Sequence, residues 1–242
     1  LYLAGQTAGG WLLEGLFTLP SSLTRLHAFW DPEAGAHICL GDGNGKLLYA
    51  SSLDQVPFDP VLVELADDLG APAAPCAVAL LGGKKTILSA ARPAGLLSIS
   101  WKQESGWTGT VIDEDAVVGA LAHRHTAYGL VISYLDVATG ALKYATSESG
   151  LVSVFVADPG AILPADGGSQ LPFGLSLAAD AGSGKVYLSY HNRIEDVLYV
   201  KDLEASGTWG NFAELPSAAL HFPALGIDQS GHPALAAVQF SP

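Results

Sequence analysis

The sequence predicts an all-β fold, a single five-bladed β-propeller over residues 1–242 with four antiparallel strands per blade. Two observations predict it. A short apolar strand recurs along the chain, and the distance from its last copy through the carboxyl end to its first copy matches the distances between the other copies. The composition agrees, because Val, Leu and Tyr are frequent while Gly, Asp and Ser separate short apolar runs.

The recurring strand reads Leu-Leu-Tyr-Ala in one of its copies. The copies begin at Leu1, Leu47, Leu97, Leu142 and Val197. Successive copies are about 45 to 55 residues apart, and the distance from the last copy through the carboxyl end to the first falls in the same range. The blades are therefore predicted at about 23–65, 76–112, 116–157 and 173–214, with the fifth at about 222–240 plus 1–17.

The fourth blade shows most clearly how the strands follow one another. Its strands are predicted at 174–179, 185–190, 197–201 and 209–214, and the turn that begins at Asp180 is rich in residues that tolerate positive φ. The fifth unit ends two strands short, and the first two strands of the chain supply the missing pair. Such closure removes open sheet edges, which otherwise invite aggregation.

Tryptophan recurs at one position of this repeat. Trp11, Trp107 and Trp209 each open the outermost strand of a blade. They would suit sugar stacking, but their recurrence at one structural position favours packing between blades.

Composition excludes several classes of function. The net charge of −13 argues against nucleic acid, whose phosphates need clustered Lys and Arg. No apolar stretch is long enough to span a membrane. The chain begins at Leu1 and contains no methionine, and a cleaved secretion signal would explain both, which favours a secreted or processed mature form. Cys39 and Cys76 are compatible with one disulfide, but two buried free thiols account for them at least as well.

Candidate site residues are those that break the repeat. Arg25 and His27 lie on one side of an innermost strand, where the other blades carry small or apolar residues. The second strand of the fourth blade ends in Tyr190, His191 and Arg193, a set that suits recognition of an anion or a carbonyl group. The corresponding loops and the crossovers on the same predicted face contribute Arg92, Tyr134, Phe173, His221 and Phe222.

These residues predict one asymmetric pocket for a mainly apolar small molecule. No metal site and no cofactor are predicted, because the imidazoles of His123 and His125 have no third ligand. A glycosidase is disfavoured, since no innermost strand opens with a carboxylate. A carbohydrate-binding lectin is the alternative, although repeat lectins usually carry the same polar residues in most blades. The sequence leaves homo-oligomerisation open.

The chain resembles the lectin-like propellers of bacteria and fungi. The resemblance rests on the strand patterns at 129–134 and 184–190 and on the Leu-Lys-Tyr-Ala strand at Leu142. Propellers of this kind include fungal cyclases that perform a hetero-Diels–Alder coupling of a tropolone quinone methide to a sesquiterpene. The resemblance implies such a cyclase, in which His27, His191 and Arg193 assist loss of water and the other candidates hold the substrate.

Overall fold

The computed structural model is built from β-strands and their connections, with no helix in the part of the chain that it describes. The all-β prediction is therefore confirmed for these residues. The described residues are 2–7, 10–15, 23–31, 35–42, 47–51, 63–66, 76–81, 84–90, 95–102, 106–126, 129–148, 151–161, 174–180, 182–192, 194–204, 207–216 and 220–239.

The strands form four four-stranded sheets and two two-stranded ones in these ranges, with neighbouring strands antiparallel where their register is defined. The first pair is β1 (Tyr2–Thr7) and β2 (Gly10–Gly15). Sheet I contains β3 (Leu23–Asp31), β4 (Gly35–Asp42), β5 (Leu47–Ser51) and β6 (Val63–Ala66). Sheet II contains β7 (Cys76–Leu81), β8 (Lys84–Ala90), β9 (Leu96–Lys102) and β10 (Gly106–Asp113).

The remaining strands repeat this pattern. Sheet III contains β11 (Val118–Thr126), β12 (Gly129–Asp136), β13 (Ala141–Glu148) and β14 (Leu151–Asp158). Sheet IV contains β15 (Leu175–Ala179), β16 (Val186–Asn192), β17 (Val197–Leu203) and β18 (Trp209–Pro216). The last pair is β19 (Leu220–Ile227) and β20 (Pro233–Gln239). In each sheet the strands follow chain order, as successive hairpins require.

The hairpin turns that begin at Asp180 and Asp228 are stabilised by hydrogen bonds to the side chains of these aspartates. The Asp180 carboxylate accepts hydrogen bonds from the backbone N–H groups of Gly182 and Ser183, both at 3.0 Å. The Asp228 carboxylate does the same for Ser230 at 2.8 Å and His232 at 2.9 Å. These are Asx-type turns, in which the side chain replaces a backbone hydrogen-bond partner and reverses the chain within a few residues.

The chain divides into two compact units. One comprises residues 1–93 and 99–109, and the other comprises residues 94–98 and 110–242. The second unit contains a core in which apolar side chains of sheets III and IV pack together, among them Val131, Leu142, Leu177 and Leu188. This packing holds the two sheets face to face and positions the candidate site described below.

In the first unit, a disulfide joins Cys39 of β4 to Cys76 of β7, with 6.3 Å between the two Cα atoms. The preference for free thiols was therefore wrong. The two strands belong to sheets I and II, and the fold brings their backbones within the range that a disulfide spans. A separation of 37 residues in the sequence gives no sign of this proximity.

Strand register corrects one part of the repeat alignment. The sequence pattern matched Tyr199 with Tyr144, but β13 places Tyr144 opposite Ser133, whereas β17 places Tyr199 opposite Tyr190. Tyr199 therefore occupies the position of Lys143, which lies opposite Tyr134 in sheet III. Both strands contain short apolar runs that fit either alignment, and a shift of one residue moves a side chain to the other face of its sheet.

No helix among the described residues has the length and apolar character needed to cross a membrane.

We expect reduction of the Cys39–Cys76 bond to lower the free energy of unfolding by about 4 kcal/mol, because the cross-link restricts the unfolded chain over a 37-residue separation. Urea denaturation with and without dithiothreitol measures the difference. The Cys39→Ala/Cys76→Ala double variant is the control, since its midpoint should not respond to the reductant. Equal midpoints for the oxidised and reduced wild-type protein would contradict the expected stabilisation.

Candidate functional site

A contact region between facing side chains lies between sheets III and IV within the second unit. On the sheet III side it is lined by Tyr144 and Phe155, which contact each other across β13 and β14. On the sheet IV side it is lined by Tyr199, Lys201 and Trp209, which lie on one face of β17 and β18. We call this the III–IV groove.

The aromatic part of the groove centres on Tyr144. The Tyr144 ring stacks on Phe155 with 5.1 Å between centroids, and it meets Trp209 edge to face at 5.5 Å. Its hydroxyl donates a hydrogen bond to the carbonyl of Gly207, two residues before β18 begins. Phe155 is about half exposed, whereas the Trp209 indole N–H is buried and has no hydrogen-bond acceptor among the described residues. The predicted packing role is thus confirmed for Trp209, while the side chains of Trp11 and Trp107 lie outside the described part.

The polar part of the groove centres on Lys201. Its ammonium group lies over the rings of Tyr199 at 5.5 Å and Tyr190 at 5.9 Å, which are themselves stacked at 5.6 Å. Such cation–π contacts hold the charge beside the aromatic rings. The Tyr199 hydroxyl donates to the Glu195 carboxylate at 2.5 Å. This hydrogen bond raises the pKa of Tyr199 to about 12, so the phenol stays protonated.

At the loop end of the groove, Asp158 connects the two sheets. Its carboxylate accepts hydrogen bonds from the Tyr190 hydroxyl at 2.5 Å and from the Asn192 amide at 3.2 Å. The Asn192 side-chain oxygen accepts in turn from the backbone N–H groups of Ile194 and Glu195. Burial and the hydrogen bond to Asp158 raise the pKa of Tyr190. The loop carrying Glu195 is thereby fixed against the outer strand of sheet III.

The same contact occurs one sheet earlier. The Tyr134 hydroxyl donates to Asp113, at the end of β10, at 2.7 Å. Asp136 stands where sheet IV has Asn192, and the Lys143 ammonium bridges Asp113 at 3.0 Å and Asp136 at 2.9 Å. Lys143 therefore occupies in sheet III the position that Tyr199 occupies in sheet IV. There it forms ion pairs with both carboxylates.

The charges of this network stabilise one another. Burial by itself raises the pKa of Asp113 and of Asp136, but hydrogen bonds from Tyr134, Lys143 and neighbouring groups outweigh it, so both pKa values are lowered. Burial likewise acts to lower the pKa of Lys143, but its two carboxylate partners raise it. At neutral pH all three groups are charged and mutually paired, which indicates a structural connection.

The structure brings some of the predicted site residues together. Tyr134 and Tyr190 occupy equivalent buried positions, each bonded to an aspartate in the crossover that precedes its sheet. His191 lies beside Asp196, with 3.1 Å between Nε2 and the carboxylate. The expectation that crossovers and the ends of second strands share a face is therefore met in sheets III and IV.

His27 lies in the first unit, and its surroundings suit the neutral form. Its Nδ1 accepts a hydrogen bond from the backbone N–H of Val78 at 3.2 Å, and burial lowers its pKa. Ser176 makes a comparable contact in the second unit, accepting from the N–H of Leu225 at 3.0 Å. A catalytic role for His27 stays a prediction.

The other predicted residues are placed only in part. Arg25 lies on β3, and His221 and Phe222 lie on β19, but their side chains are not among those that the structure describes. Arg92, Phe173 and Arg193 fall outside the described residues altogether.

Sequence reasoning missed Asp113, Asp158 and Lys201 as site residues. Each aspartate ends an outer strand, and its bond to a tyrosine of the following sheet is a long-range contact. Their recurrence after the outermost strand was the signal available in the sequence. Lys201 was predicted only as the end of a strand. A one-residue error in the register had placed its side chain on the other face of the sheet.

Comparison with known proteins decides the fold. No protein-family model and no curated protein matches the chain. Among solved structures, BP39L lectin from Burkholderia pseudomallei matches with a TM-score of 0.70 at 14% identity, over 95% of this chain and 73% of that one. The fold is that of a lectin-like β-propeller.

Two further structures agree. AofleA from Arthrobotrys oligospora matches with a TM-score of 0.66 at 13% identity, over 96% of this chain and 70% of that one. A mutant of Aleuria aurantia lectin, solved with α-methyl-L-fucoside, matches with a TM-score of 0.61 at 13% identity, over 90% and 72%. At such identities the likeness establishes the fold alone, so any ligand must be argued from this chain's own residues.

We expect Asp136→Asn to destabilise the protein at pH 6 by about 1–3 kcal/mol, because it removes the carboxylate that binds Lys143 and three other donors. The lowered pKa values mean that this stability is present above the unfolded pKa of about 3.9 and is lost as the pH falls through the lower folded values. The difference between wild type and variant should therefore shrink below about pH 4.

Urea denaturation across this pH range gives the measurement. The exposed Asp115→Asn variant is the matched control, since it removes the same charge from the neighbouring crossover. A difference for Asp136→Asn that stays constant with pH would show that the carboxylate charge does not stabilise the network.

Proposed function

We propose that this protein is a carbohydrate-binding lectin and that the III–IV groove is a sugar site. Two findings support the proposal. Lectins share its fold over nearly the whole chain. The groove also combines an aromatic cluster, of which Phe155 is half exposed, with an ammonium group and a carboxylate, and this combination carries the assignment.

The chemistry of a sugar matches both parts of the groove. A pyranose has an apolar face of C–H groups that packs on aromatic rings, and the half-exposed Phe155 ring of the Phe155, Tyr144 and Trp209 cluster supplies such a surface. Its hydroxyl groups donate and accept hydrogen bonds. Lys201 is a donor and the Glu195 carboxylate is an acceptor, so both roles are covered.

The lectin neighbours favour this function over the cyclase interpretation and favour a small sugar over a mainly apolar substrate. Among the residues predicted to form a cyclase pocket, Tyr190 has its ring beneath the Lys201 ammonium group, and its hydroxyl donates a hydrogen bond to Asp158. The proposed roles of His27, His191 and Arg193 in dehydration, and of Arg25, Arg92, Tyr134, Phe173, His221 and Phe222 in substrate binding, stay predictions.

We also propose that residues 1–242 form one five-bladed ring. Sheets I to IV each supply four strands, and β1–β2 and β19–β20 are two hairpins of two strands each. Pairing of these hairpins would complete a fifth blade of the same size. It would also remove two exposed sheet edges.

A glycan array at neutral pH tests the lectin assignment, and the bound sugar can then be titrated by calorimetry. We expect Trp209→Ala and Lys201→Ala each to weaken binding at least about tenfold, because the first removes part of the aromatic cluster and the second removes the ammonium donor. Phe212→Ala is the matched control. Phe212 also lies on β18, but its ring contacts Tyr187, which lies on the face turned away from the groove.

The possible outcomes distinguish a wrong function from a wrong site. A wild-type protein that binds no glycan on the array would overturn the lectin assignment. If the wild type binds and neither groove variant loses affinity, the lectin assignment stands and the III–IV groove is excluded as the site.

A further inference from the structure

The turn between β16 and β17 contains a residue in a backbone conformation that most side chains disfavour. Asp196 has a φ of 53°, and among the described residues it is the one non-glycine residue with a positive φ. A residue with a Cβ atom is disfavoured in this left-handed region, although aspartate tolerates it better than most. Such a residue persists where surrounding contacts compensate for it, and these positions cluster at functional sites.

The equivalent turn of sheet III shows what the backbone alone requires. In both sheets, four residues separate the last paired residues of the second and third strands. The fourth is Gly140 in sheet III and Asp196 in sheet IV, and their φ values of 76° and 53° lie in the same region. Glycine adopts this conformation about as readily as one with negative φ. Asp196 therefore occupies its position because of its side chain, since glycine would suit the backbone better.

The Asp196 side chain contacts the strand that precedes the turn. One of its carboxylate oxygens lies 3.1 Å from Nε2 of His191, on β16. The His191 side chain is 10% exposed, whereas that of Asp196 is 63% exposed. The contact therefore ties an exposed turn to a side chain that is held within sheet IV.

Glu195, which supplies the carboxylate of the proposed sugar site, directly precedes Asp196. Its backbone N–H donates a hydrogen bond to the side-chain oxygen of Asn192 at 3.1 Å, and its carboxylate accepts one from the Tyr199 hydroxyl at 2.5 Å. The backbone is thus restrained before Glu195 by Asn192 and after it by Asp196. An acceptor that is already restrained loses less conformational entropy when a ligand binds.

We propose that Asp196 is a positioning residue of the proposed sugar site, and that its contact with His191 fixes the turn that presents the Glu195 carboxylate. This inference rests on the assignment of the III–IV groove as a sugar site. Asp196 acts through Glu195 rather than by contact with the sugar. The unfavourable φ of Asp196 is offset by the contact that its side chain makes.

The turn of sheet III differs at both positions. Where sheet IV has Glu195, it has Thr139, whose hydroxyl donates a hydrogen bond back to Asp136 at 2.8 Å. Where sheet IV has Asp196, it has Gly140. This turn satisfies the end of its own strand and presents no carboxylate in place of Glu195. The acceptor and the residue that positions it therefore occur together in sheet IV.

Asp196→Gly gives sheet IV the glycine of sheet III and tests the proposal. We expect amide hydrogen exchange at Ile194 and Glu195, measured by NMR, to become at least about tenfold faster, because the turn loses its contact with His191. The affinity for the tightest-binding glycan of the array, measured by calorimetry, should fall at least about fivefold. The midpoint of urea denaturation should not fall, since glycine relieves the left-handed conformation.

Two further variants serve as controls. Asp196→Asn keeps a side-chain oxygen that accepts a hydrogen bond from His191, and asparagine tolerates positive φ, so exchange rates and affinity should stay close to those of the wild type. Gly140→Asp introduces the aspartate at the equivalent position of sheet III. It should lower the urea midpoint and leave the glycan affinity unchanged, because that turn does not present Glu195.

The exchange rates distinguish a failure of this inference from a failure of the lectin assignment. Rates at Ile194 and Glu195 that do not rise in Asp196→Gly would overturn the positioning role, whatever the array shows. Faster exchange with unchanged affinity would also refute it, since Glu195 would then bind sugar without being restrained. A urea midpoint that falls together with the affinity would leave Asp196 only a structural role. A wild-type protein that binds no glycan would overturn the lectin assignment, and the positioning role with it.

Discussion

The hydrogen bond from a buried tyrosine to an aspartate of the preceding sheet is the contact on which the described site depends. Strands within a sheet share a backbone hydrogen-bond ladder, whereas side-chain packing and side-chain hydrogen bonds join sheet III to sheet IV. Tyr134 and Tyr190 are both buried, and an unpaired phenol at such a position would cost about 1–3 kcal/mol. Asp113 and Asp158 satisfy these hydroxyls, and Asp158 thereby connects sheet III to sheet IV.

Sheets III and IV both contain this tyrosine–aspartate hydrogen bond, but the residues at neighbouring positions differ between them. In sheet III, Asp136 and Lys143 complete a charge network that leaves little free for a ligand. In sheet IV, the neutral Asn192 replaces the aspartate and Tyr199 replaces the lysine. The cation then appears two residues later as Lys201, over two rings and without a carboxylate partner among the described residues. The proposed site thus arises from the same architecture by moving one positive charge.

The sequence predicted much of this fold for a clear physical reason. Strands need period-two apolar patterns and tight turns need Gly or Asp, and both signals are local. The predicted turn at Asp180 and the strands of sheet IV agree with the structure to within about two residues at most boundaries. The register of the third strand was missed, because the apolar residues at Leu142 and Val197 fit two alignments equally well.

The site itself was predicted only where a residue interrupted the repeat. Tyr190 and His191 stood out in this way, whereas Asp158 and Lys201 did not, because a charged residue at a strand end has an ordinary solvent-facing explanation.

The amino-acid sequence by itself determined the strands, their turns and the antiparallel hairpins, since each depends on neighbours a few residues apart. It also predicted that nucleic acid is an unsuitable partner, because net charge is a property of composition. Only the tertiary structure decided that Cys39 meets Cys76, that Tyr144 holds Trp209 and that Lys201 faces a groove. These contacts join different sheets, so they depend on the packing of faces and on a register that the local pattern does not specify.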